Sequence, residues 1–446
     1  MKVAGVSAVD DRRDRAAYEW ARLHFALLSI ALLMCLAVSA QEFDVDSEQL
    51  RELSPPPGTT ISATNVAEYQ FVLDTDIAAL IAQQWMTIRV GDITSYRPHA
   101  AYRQATKQYG GRAELGPPGK LLNYAAGRPF IGQPKRDDPR AGERIAWNMR
   151  LMYNGDSAHI PEMHMQLRDM TSDSVVRAVE FEASLMRFIH RHVVPPVPSV
   201  NENVQNTFGA FYMRGLQGAD LKDLEVLAFI PRDDVNERRG WVYIPQLARS
   251  QNLASFNTIE TMFGSDYFAD DFLGYSGRIS DMEWKYIGDS FVLLPMYRYD
   301  QVVVTETQAR NHPYRFVHFD GRGHCFPNVT WQLRHSYIVE AISKVDDYPV
   351  ASRYMYIDAQ TYFPALIKIY DRDQQLWKIS LNGAAHPLSH IDENKQTGAP
   401  IIDATSMVDI KNERCTTFQS LPIVNVETLD TKDFDPNNLG GGRRVR

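Results

Sequence analysis

The stretch that decides the fold is residues 331–382, WQLRHSYIVEAISKVDDYPVASRYMYIDAQTYFPALIKIYDRDQQLWKISLN. Its first part alternates, with Trp331, Leu333 and Tyr337 on one face of an extended chain and Gln332 and Arg334 on the other. A period of two predicts a β-strand with one face on a core and the other in water. The predicted strands are Trp331–Glu340, Ser352–Asp358, Ala365–Tyr370 and Leu376–Leu381. We expect them to form an antiparallel meander.

Strand patterns also precede this stretch. They occur at Met163–Leu167, Val175–Phe181, Phe208–Leu216, Leu224–Ile230, Trp241–Ile244, Met282–Ile287 and Phe291–Tyr299. One helix is predicted at Glu143–Tyr153, where Ile145, Met149 and Met152 share a face. The sequence therefore predicts one large α+β domain, in which a large curved antiparallel sheet has a few helices covering one face.

The N-terminus has the pattern of a secretory signal peptide. An uncharged apolar run, Phe25–Val38, follows four arginines, and Ser39 and Ala40 after it are the small residues that a signal peptidase prefers. At 14 residues the run is short for a membrane span. We predict cleavage after Ala40 and a periplasmic mature protein, with association to the outer membrane left open. The alternative is an N-terminal anchor that is never cut.

Composition divides the rest of the chain into three parts. Residues 41–140 combine short helical patterns with a Gly- and Pro-rich segment, which predicts an N-terminal arm wrapped over the body. Residues 141–426 are predicted to be the curved sheet domain. Residues 427–446, which are rich in Asp, Asn and Gly, are predicted to be a disordered tail.

Charge and composition exclude some partners. The chain of 446 residues is 44% apolar and 23% charged, which is typical of a globular protein. Without residues 1–40 it would carry 42 basic and 51 acidic residues, a net charge of −9. This balance argues against nucleic acid as a partner. Of the cysteines, Cys325 and Cys415 would remain, and they are either a disulfide pair or two buried thiols.

The sequence gives little support for a metal site or a catalytic site. A loop at residues 311–325 contains His312, His318 and His324, but their spacing matches no metal motif, and ordinary hydrogen bonding is the favoured interpretation. The acidic segment 264–272 offers Ca²⁺ ligands, or else it is a capped turn that places aromatic side chains in the core. The sequence has no Gly-x-Ser-x-Gly elbow, P-loop or dinucleotide fingerprint. We predict no cofactor and no enzymatic activity.

Aromatic residues are concentrated on the predicted strands. They are either the packed core of a sheet or the lining of a curved sheet that leaves room for an apolar guest, and sequence alone does not separate the two. The candidate ligand-binding residues are Trp241, Tyr243, Trp284, Trp331, Tyr337, Tyr356, Phe363 and Trp377.

Several motifs resemble those of a known family. They are Pro118–Phe130, Trp241–Leu247, Phe263–Asp266, Asp270–Phe272, Tyr356–Pro364, Ile369–Asp371 and Leu376–Lys378. Over roughly residues 64–418 the chain is similar to the exported bacterial domain-of-unknown-function family thirteen twenty-nine, and through it to lipoprotein-sorting proteins of the LolA/LolB type. The resemblance implies an unclosed, LolA-like β-barrel with helices on its concave side, a cargo of acyl chains, and partners such as an outer-membrane protein or an inner-membrane exporter.

Three functions remain as hypotheses. The first is periplasmic binding and transfer of a hydrophobic ligand, such as a lipid, a sterol-like molecule or a hydrocarbon, between the inner and outer membranes. The second is a non-enzymatic assembly or accessory factor for an outer-membrane or transport complex. A metal-dependent enzyme that uses the His312–Cys325 loop has the least support.

Overall fold

Long strands dominate the computed structural model, which describes residues 47–201, 203, 206–218, 220–253 and 261–441. These residues belong to one compact unit that begins at Asp46. The predicted signal peptide, residues 1–40, lies outside the described residues, as do residues 442–446.

Helices are few and short. The α-helices of the described residues are α1 Ser47–Leu53, α2 Thr75–Ala82, α3 Ala100–Tyr109 and α4 Ala141–Arg150. Short 3₁₀ helices occur at Val66–Val72, Pro245–Leu247, Met262–Gly264, Ala269–Asp271, Ile279–Asp281, Tyr299–Gln301, Arg322–His324, Pro387–Ser389, Asp392–Asn394, Thr431–Phe434 and Pro436–Asn438. No helix among the described residues is long and apolar enough to cross a lipid bilayer.

The strands fall into three groups along the chain. Four short strands come first: β1 Thr60–Ile61, β2 Ile88–Val90, β3 Glu114–Leu115 and β4 Leu121–Leu122. The next group is β5 Ser157–Asp169, β6 Ser174–Arg187, β7 Thr207–Gln217, β8 Glu225–Pro231, β9 Arg239–Ile244 and β10 Arg249–Leu253. The last group is β11 Met282–Leu294, β12 Met296–Tyr297, β13 Val304–Gln308, β14 Arg315–Val317, β15 Phe319–Asp320, β16 Phe326–Pro327, β17 Thr330–Ser343, β18 Val350–Asp358, β19 Pro364–Asp371, β20 Leu376–Ala385, β21 Ile401–Asp409, β22 Arg414–Ser420 and β23 Ile423–Val424.

One antiparallel sheet runs through the molecule. Its strand order is β11-β17-β18-β19-β20-β21-β22-β5-β6-β7-β8-β9-β10. Short β2 and β12 add in parallel to β17 and β20. The edge strands β10 and β11 do not pair with each other among the described residues, so the sheet is open. The predicted meander and the unclosed antiparallel sheet are confirmed.

The inner face of the sheet carries the main core. One cluster joins inward side chains of β5 to β8 with those of β11, β17 to β19, β21 and β22, so the sheet must curve around it. Helix α4 covers this face, and Gly142 lets it approach closely, because a Cβ there would lie 2.6 Å from the carbonyl oxygen of Trp284. Helix α2 differs from the expected arrangement, since its N-cap Asp74 accepts hydrogen bonds from Tyr356 and Lys368 on the outer face.

The outer face of β17 is not in water, which corrects the sequence-based expectation. Gln332, Arg334 and Ser336 are 0%, 1% and 0% exposed. Gln332 accepts hydrogen bonds from the backbone and hydroxyl of Thr94, and Arg334 donates to the Thr94 carbonyl and to Asp358. The strand's polar residues are thus buried with partners supplied by the N-terminal arm, as buried polar groups require.

The predicted boundaries of the strands between residues 282 and 299 also need correction. The strands predicted at Met282–Ile287 and Phe291–Tyr299 are in fact mostly one strand, β11, with a bulge between Tyr286 and Gly288. A bulge leaves one residue unpaired and bends the strand without ending it.

The predicted disordered tail is ordered where it is described. Phe434 is 1% exposed and belongs to a second cluster with Phe188, Leu227 and Phe229 on the outer face of β6 to β8. These strands are apolar on both faces, and the tail removes the apolar surface of their outer face from water.

Cys325 and Cys415 form a disulfide bond, with their Cα atoms 5.9 Å apart. The bond joins the loop before β16 to strand β22, across 90 residues of sequence.

Candidate functional site

A cavity of about 590 Å³ lies against the inner face of strands β5 to β9. Its other walls are the last turn of α4 with the residues after it, and the segment 261–276. Its apolar lining includes Met149, Met152, Ile160, Leu185, Phe211, Met213, Val226, Ala228, Val242, Phe263 and Phe272. The volume falls within the range of about 300–1,000 Å³ that small-molecule sites occupy.

Strand alternation explains how the sequence builds this wall. On β8, Val226, Ala228 and Ile230 line the cavity, while Leu227 and Phe229 point to the outer cluster under the tail. Successive side chains of a strand point to opposite faces. An uninterrupted apolar run can therefore face a cavity on one side and a packed cluster on the other.

Several large apolar side chains of the lining keep part of their surface accessible. Leu185, Phe211, Leu224, Val242 and Phe272 are only half-buried, although they point to the inner face. In a close-packed interior such side chains would be almost fully buried. Their accessible surface is the wall of the cavity, and it is suited to apolar atoms.

The segment 261–276 is held over the sheet by aromatic and ionic contacts. Tyr267 and Phe268 are 0% and 2% exposed in the main cluster. Asp266 accepts a hydrogen bond from Arg414 at 2.6 Å, and Asp271 pairs with Arg353 at 2.7 Å. These two carboxylates are thus paired with arginines. Tyr267 and Phe268 lie in the core as the capped-turn interpretation expected, but the short helix that follows begins after Phe268 and has no side-chain cap.

Four charged residues line the cavity: Arg150, Asp156, Arg187 and Arg238. Arg150 pairs with Asp234 at 2.8 Å. Arg187 donates to the Met152 carbonyl at 2.8 Å, and its other terminal nitrogen, Nη1, is buried without a hydrogen-bond partner.

Asp156 is a buried, fully ionised group. Burial alone would raise its pKa, but the His192 ring 3.5 Å away and hydrogen bonds from the backbone N–H groups of His192, Val193 and Val194 hold the pKa well below its usual range. Its charge is therefore used to fix the loop at residues 192–194.

Arg238 differs from the other arginines of the wall. It is half-buried, and it makes neither a hydrogen bond nor an ion pair with any described residue. Burial lowers its pKa, and Asp270 is the carboxylate that acts on it most strongly. Burial in turn raises the pKa of Asp270 to about 6.

The eight aromatic residues predicted as ligand contacts are not among those that line this cavity. Trp284 and Tyr337 lie in the main core, and Trp377 packs against it. Trp241 packs against the outer cluster, and Tyr243 lies beside Gly440 of the tail.

The remaining three lie elsewhere in the sheet. Trp331 and Phe363 are 1% and 0% exposed, and the Tyr356 hydroxyl donates to Asp74 on the outer face at 2.7 Å. Their role in binding stays a prediction. The structure brings none of the eight to the cavity, and it places other apolar residues there, from Ala228 to Phe211 and Phe272.

The candidate histidines do not come together. His312 lies 3.8 Å from Glu393, and the rings of His318 and His324 are 6.4 Å apart. Among the described residues, the group whose ligand atoms are close enough for a metal ion is Glu162, His164 and Glu180.

That group already has a cation. Arg310 forms an ion pair with Glu180, and its backbone N–H donates to Glu162 at 2.7 Å. Both carboxylates therefore have a partner from the protein itself.

Sequence patterns contained a signal for part of the cavity. The alternation of Val226, Ala228 and Ile230 with Leu227 and Phe229 was visible as an apolar run within a predicted strand. Continuing the alternation backward from Val242 along β9 places Arg238 on the inner face and Arg239 on the outer face. The helix residues and segment 261–276 had no comparable signal, because their position depends on contacts distant in sequence.

Comparison with known proteins gives a family but no curated relative. The sequence model of DUF1329, a protein family of unknown function, matches residues 60–439. No curated protein matches the chain.

Solved structures of low sequence identity are similar to the chain. A domain described as outer membrane lipoprotein-sorting, from Vibrio parahaemolyticus, has 14% identity and a TM-score of 0.46, covering 68% of this chain and 100% of its own. A DUF1329 family protein from Desulfovibrio piger has 13% identity and a TM-score of 0.46, covering 68% and 99%. A LolA superfamily protein from Nitrosomonas europaea has 10% identity and a TM-score of 0.38, covering 65% and 95%. The family match spans most of the sequence, including the whole sheet, and the chain therefore belongs to the DUF1329 family.

Proposed function

We propose that the protein binds a hydrophobic small molecule, such as a lipid, a sterol-like molecule or a hydrocarbon, in the cavity under α4 and carries it across the periplasm between the two membranes. The observation that supports this proposal is the cavity itself, whose largely apolar wall includes side chains that keep accessible surface, such as Leu185, Phe211 and Phe272. Burying an apolar ligand there would contribute roughly 25 cal/mol for each Å² removed from water. The periplasmic location rests on the predicted signal peptide.

The wall is suited to a carrier because it can adapt to its ligand. Met149, Met152, Met213 and Met262 all line the cavity. Methionine side chains are unbranched and polarisable, and they fill irregular spaces with little strain. Such a wall accepts a class of apolar molecules and is less suited to one rigid substrate.

The proposal is tested by native mass spectrometry of protein purified gently from the periplasm, followed by organic extraction. We expect a co-purifying apolar molecule in the wild type. Ala228→Trp should lose it, because a bulky side chain from β8 would fill the cavity. Val176→Trp is the control, since Val176 is 64% exposed on β6, two strands from β8 in the sheet.

Each outcome has a clear meaning. Loss of the bound mass in Ala228→Trp alone supports the carrier proposal. An apo mass in the wild type, together with failure of the delipidated protein to bind any apolar probe, contradicts it. Capture of a membrane-protein partner by such an apo protein would favour the assembly-factor hypothesis.

A further inference from the structure

We propose that the cavity takes a ligand with an anionic head and an apolar chain, and that the guanidinium of Arg238 binds this head. The inference rests on the proposed function, because it names the chemical class of the ligand that the same cavity would hold. Three observations carry it: the direction of Arg238, the partners of its neighbours and the charge balance of the wall.

The direction of Arg238 follows from strand β9. Arg238 and Val242 both line the cavity, whereas Arg239 is exposed and lies over the Phe229 ring on the outer face, 5.8 Å from its centroid. Arg238, which immediately precedes β9, and Arg239, its first residue, thus point to opposite sides of the sheet. Only the first can meet a ligand in the cavity.

Two other polar groups near Arg238, Arg150 and the Tyr275 hydroxyl, have partners within the protein, whereas the Asp270 carboxylate acts on Arg238 only through its charge, without a hydrogen bond or ion pair. Arg150 binds Asp234 and the carbonyl oxygens of Ser276 and Gly277. The Tyr275 hydroxyl donates to the Arg278 carbonyl at 3.1 Å. Arg238 is left with no hydrogen-bonding partner among the described residues, and a guanidinium away from bulk water is costly without one.

The charge balance of the wall also favours an anion. Three arginines and one aspartate line the cavity, although the whole chain has a net charge of −8. The aspartate, Asp156, is held by three backbone N–H groups, and Arg150 is paired with Asp234. The free hydrogen-bonding capacity that faces the ligand space is therefore cationic.

Chemistry limits the head group to a planar or tetrahedral oxyanion. Guanidinium binds carboxylate and phosphate through two parallel hydrogen bonds. A fatty acid and a single-chain lipid phosphate share this feature. A neutral alcohol of equal chain length lacks it, so the two kinds of ligand separate the contribution of the head from that of the chain.

The test measures displacement of the neutral probe N-phenyl-1-naphthylamine from the full mature protein at pH 7.5. The competitors are myristate, 1-myristoyl lysophosphatidate and 1-tetradecanol, each below its micellar concentration. We expect the wild type to bind at least one anion about tenfold or more tightly than the alcohol, as a charged hydrogen-bonded pair predicts. The anion that shows the preference identifies the head group as carboxylate or phosphate.

Arg238→Gln should remove that preference, so that the ratio of anion affinity to 1-tetradecanol affinity falls to about one. Arg239→Gln, on the opposite face of the sheet, should behave as wild type. Equal affinity of the wild type for anions and alcohol, or an anion preference that survives in Arg238→Gln, would overturn the head-group assignment while the carrier proposal stands. Failure of the probe and of all three competitors to bind would overturn the carrier proposal.

Discussion

Asp271 and Arg353 form a bidentate ion pair in which neither side chain is exposed, with Oδ1–Nε and Oδ2–Nη2 distances of 2.7 and 2.9 Å. Asp271 belongs to the segment that walls the cavity, and Arg353 belongs to β18 of the sheet. Tyr348 accepts a further hydrogen bond from Arg353 at 2.7 Å. The pair therefore ties the cavity wall to the sheet.

Breaking this pair should destabilise the protein strongly. Asp271→Asn would leave the guanidinium of Arg353 buried without a counter-charge, and we expect the free energy of unfolding to fall by about 3–5 kcal/mol. Urea denaturation measures the change. Asp220→Asn is the control, because Asp220 pairs with Arg177 while 69% of its side chain is exposed, and it should change stability by less than about 1 kcal/mol. Equal effects of the two variants would contradict the assignment.

Phe434 should be an anchor of the C-terminal tail. Phe434→Ala would expose the outer cluster around Leu227 and Phe229, and we expect a loss of about 3–5 kcal/mol in unfolding free energy. Phe71→Ala removes the same side chain where it is 64% exposed, and it should cost less than about 0.5 kcal/mol. Thermal and urea unfolding of both variants provide the comparison. Equal unfolding midpoints for Phe434→Ala and Phe71→Ala would contradict the prediction, because they would show that the tail adds no stability.

Asp270 should reduce stability above pH 6. Its pKa is raised to about 6 by burial, with Arg238 and Arg353 opposing the shift and Asp271 and Asp281 adding to it. A carboxyl whose pKa is higher in the folded state favours folding only when protonated, so the penalty is full at high pH and fades as the pH falls from 6 toward the unfolded value.

Asp270→Asn should therefore stabilise the protein, by about 3 kcal/mol at pH 8 and by roughly half as much at pH 5. Urea unfolding at the two pH values measures the difference. A variant that is equally stable to wild type at pH 8, or whose advantage grows as the pH falls, would show that the carboxyl does not titrate as described.

The strands were largely predictable from sequence, and their surroundings were not. The alternation from Trp331 onward gave β17 to β20 within a few residues at each end, because a strand's pattern is local. Burial of Gln332 and Arg334 was missed because their cover comes from Thr94 and its neighbours, more than two hundred residues away. The order in the tail was missed for the same reason.

The eight aromatic residues predicted as ligand contacts do not line the cavity, and packing explains why. A side chain such as Trp284 or Tyr337 fills space in the core, whereas a cavity remains where residues such as Ala228 and Val226 leave it. Aromatic content thus did not separate the packed half of the sheet from the cavity, whose lining also includes Phe211, Phe263 and Phe272. The sequence features that indicated the cavity were the apolar run on β8 and the pair Arg238 and Arg239 that follows it.

The central claim is that the inner face of β5 to β9 binds an apolar ligand, and the most direct measurement is a fluorescence titration of delipidated protein with N-phenyl-1-naphthylamine. We expect saturable, blue-shifted fluorescence from one site in the wild type and in Val176→Trp. In a folded Ala228→Trp protein we expect the affinity to fall at least about tenfold, which corresponds to a loss of about 1.4 kcal/mol of binding free energy. Absence of saturable binding in the wild type, or equal affinity in a folded Ala228→Trp protein, would contradict the claim.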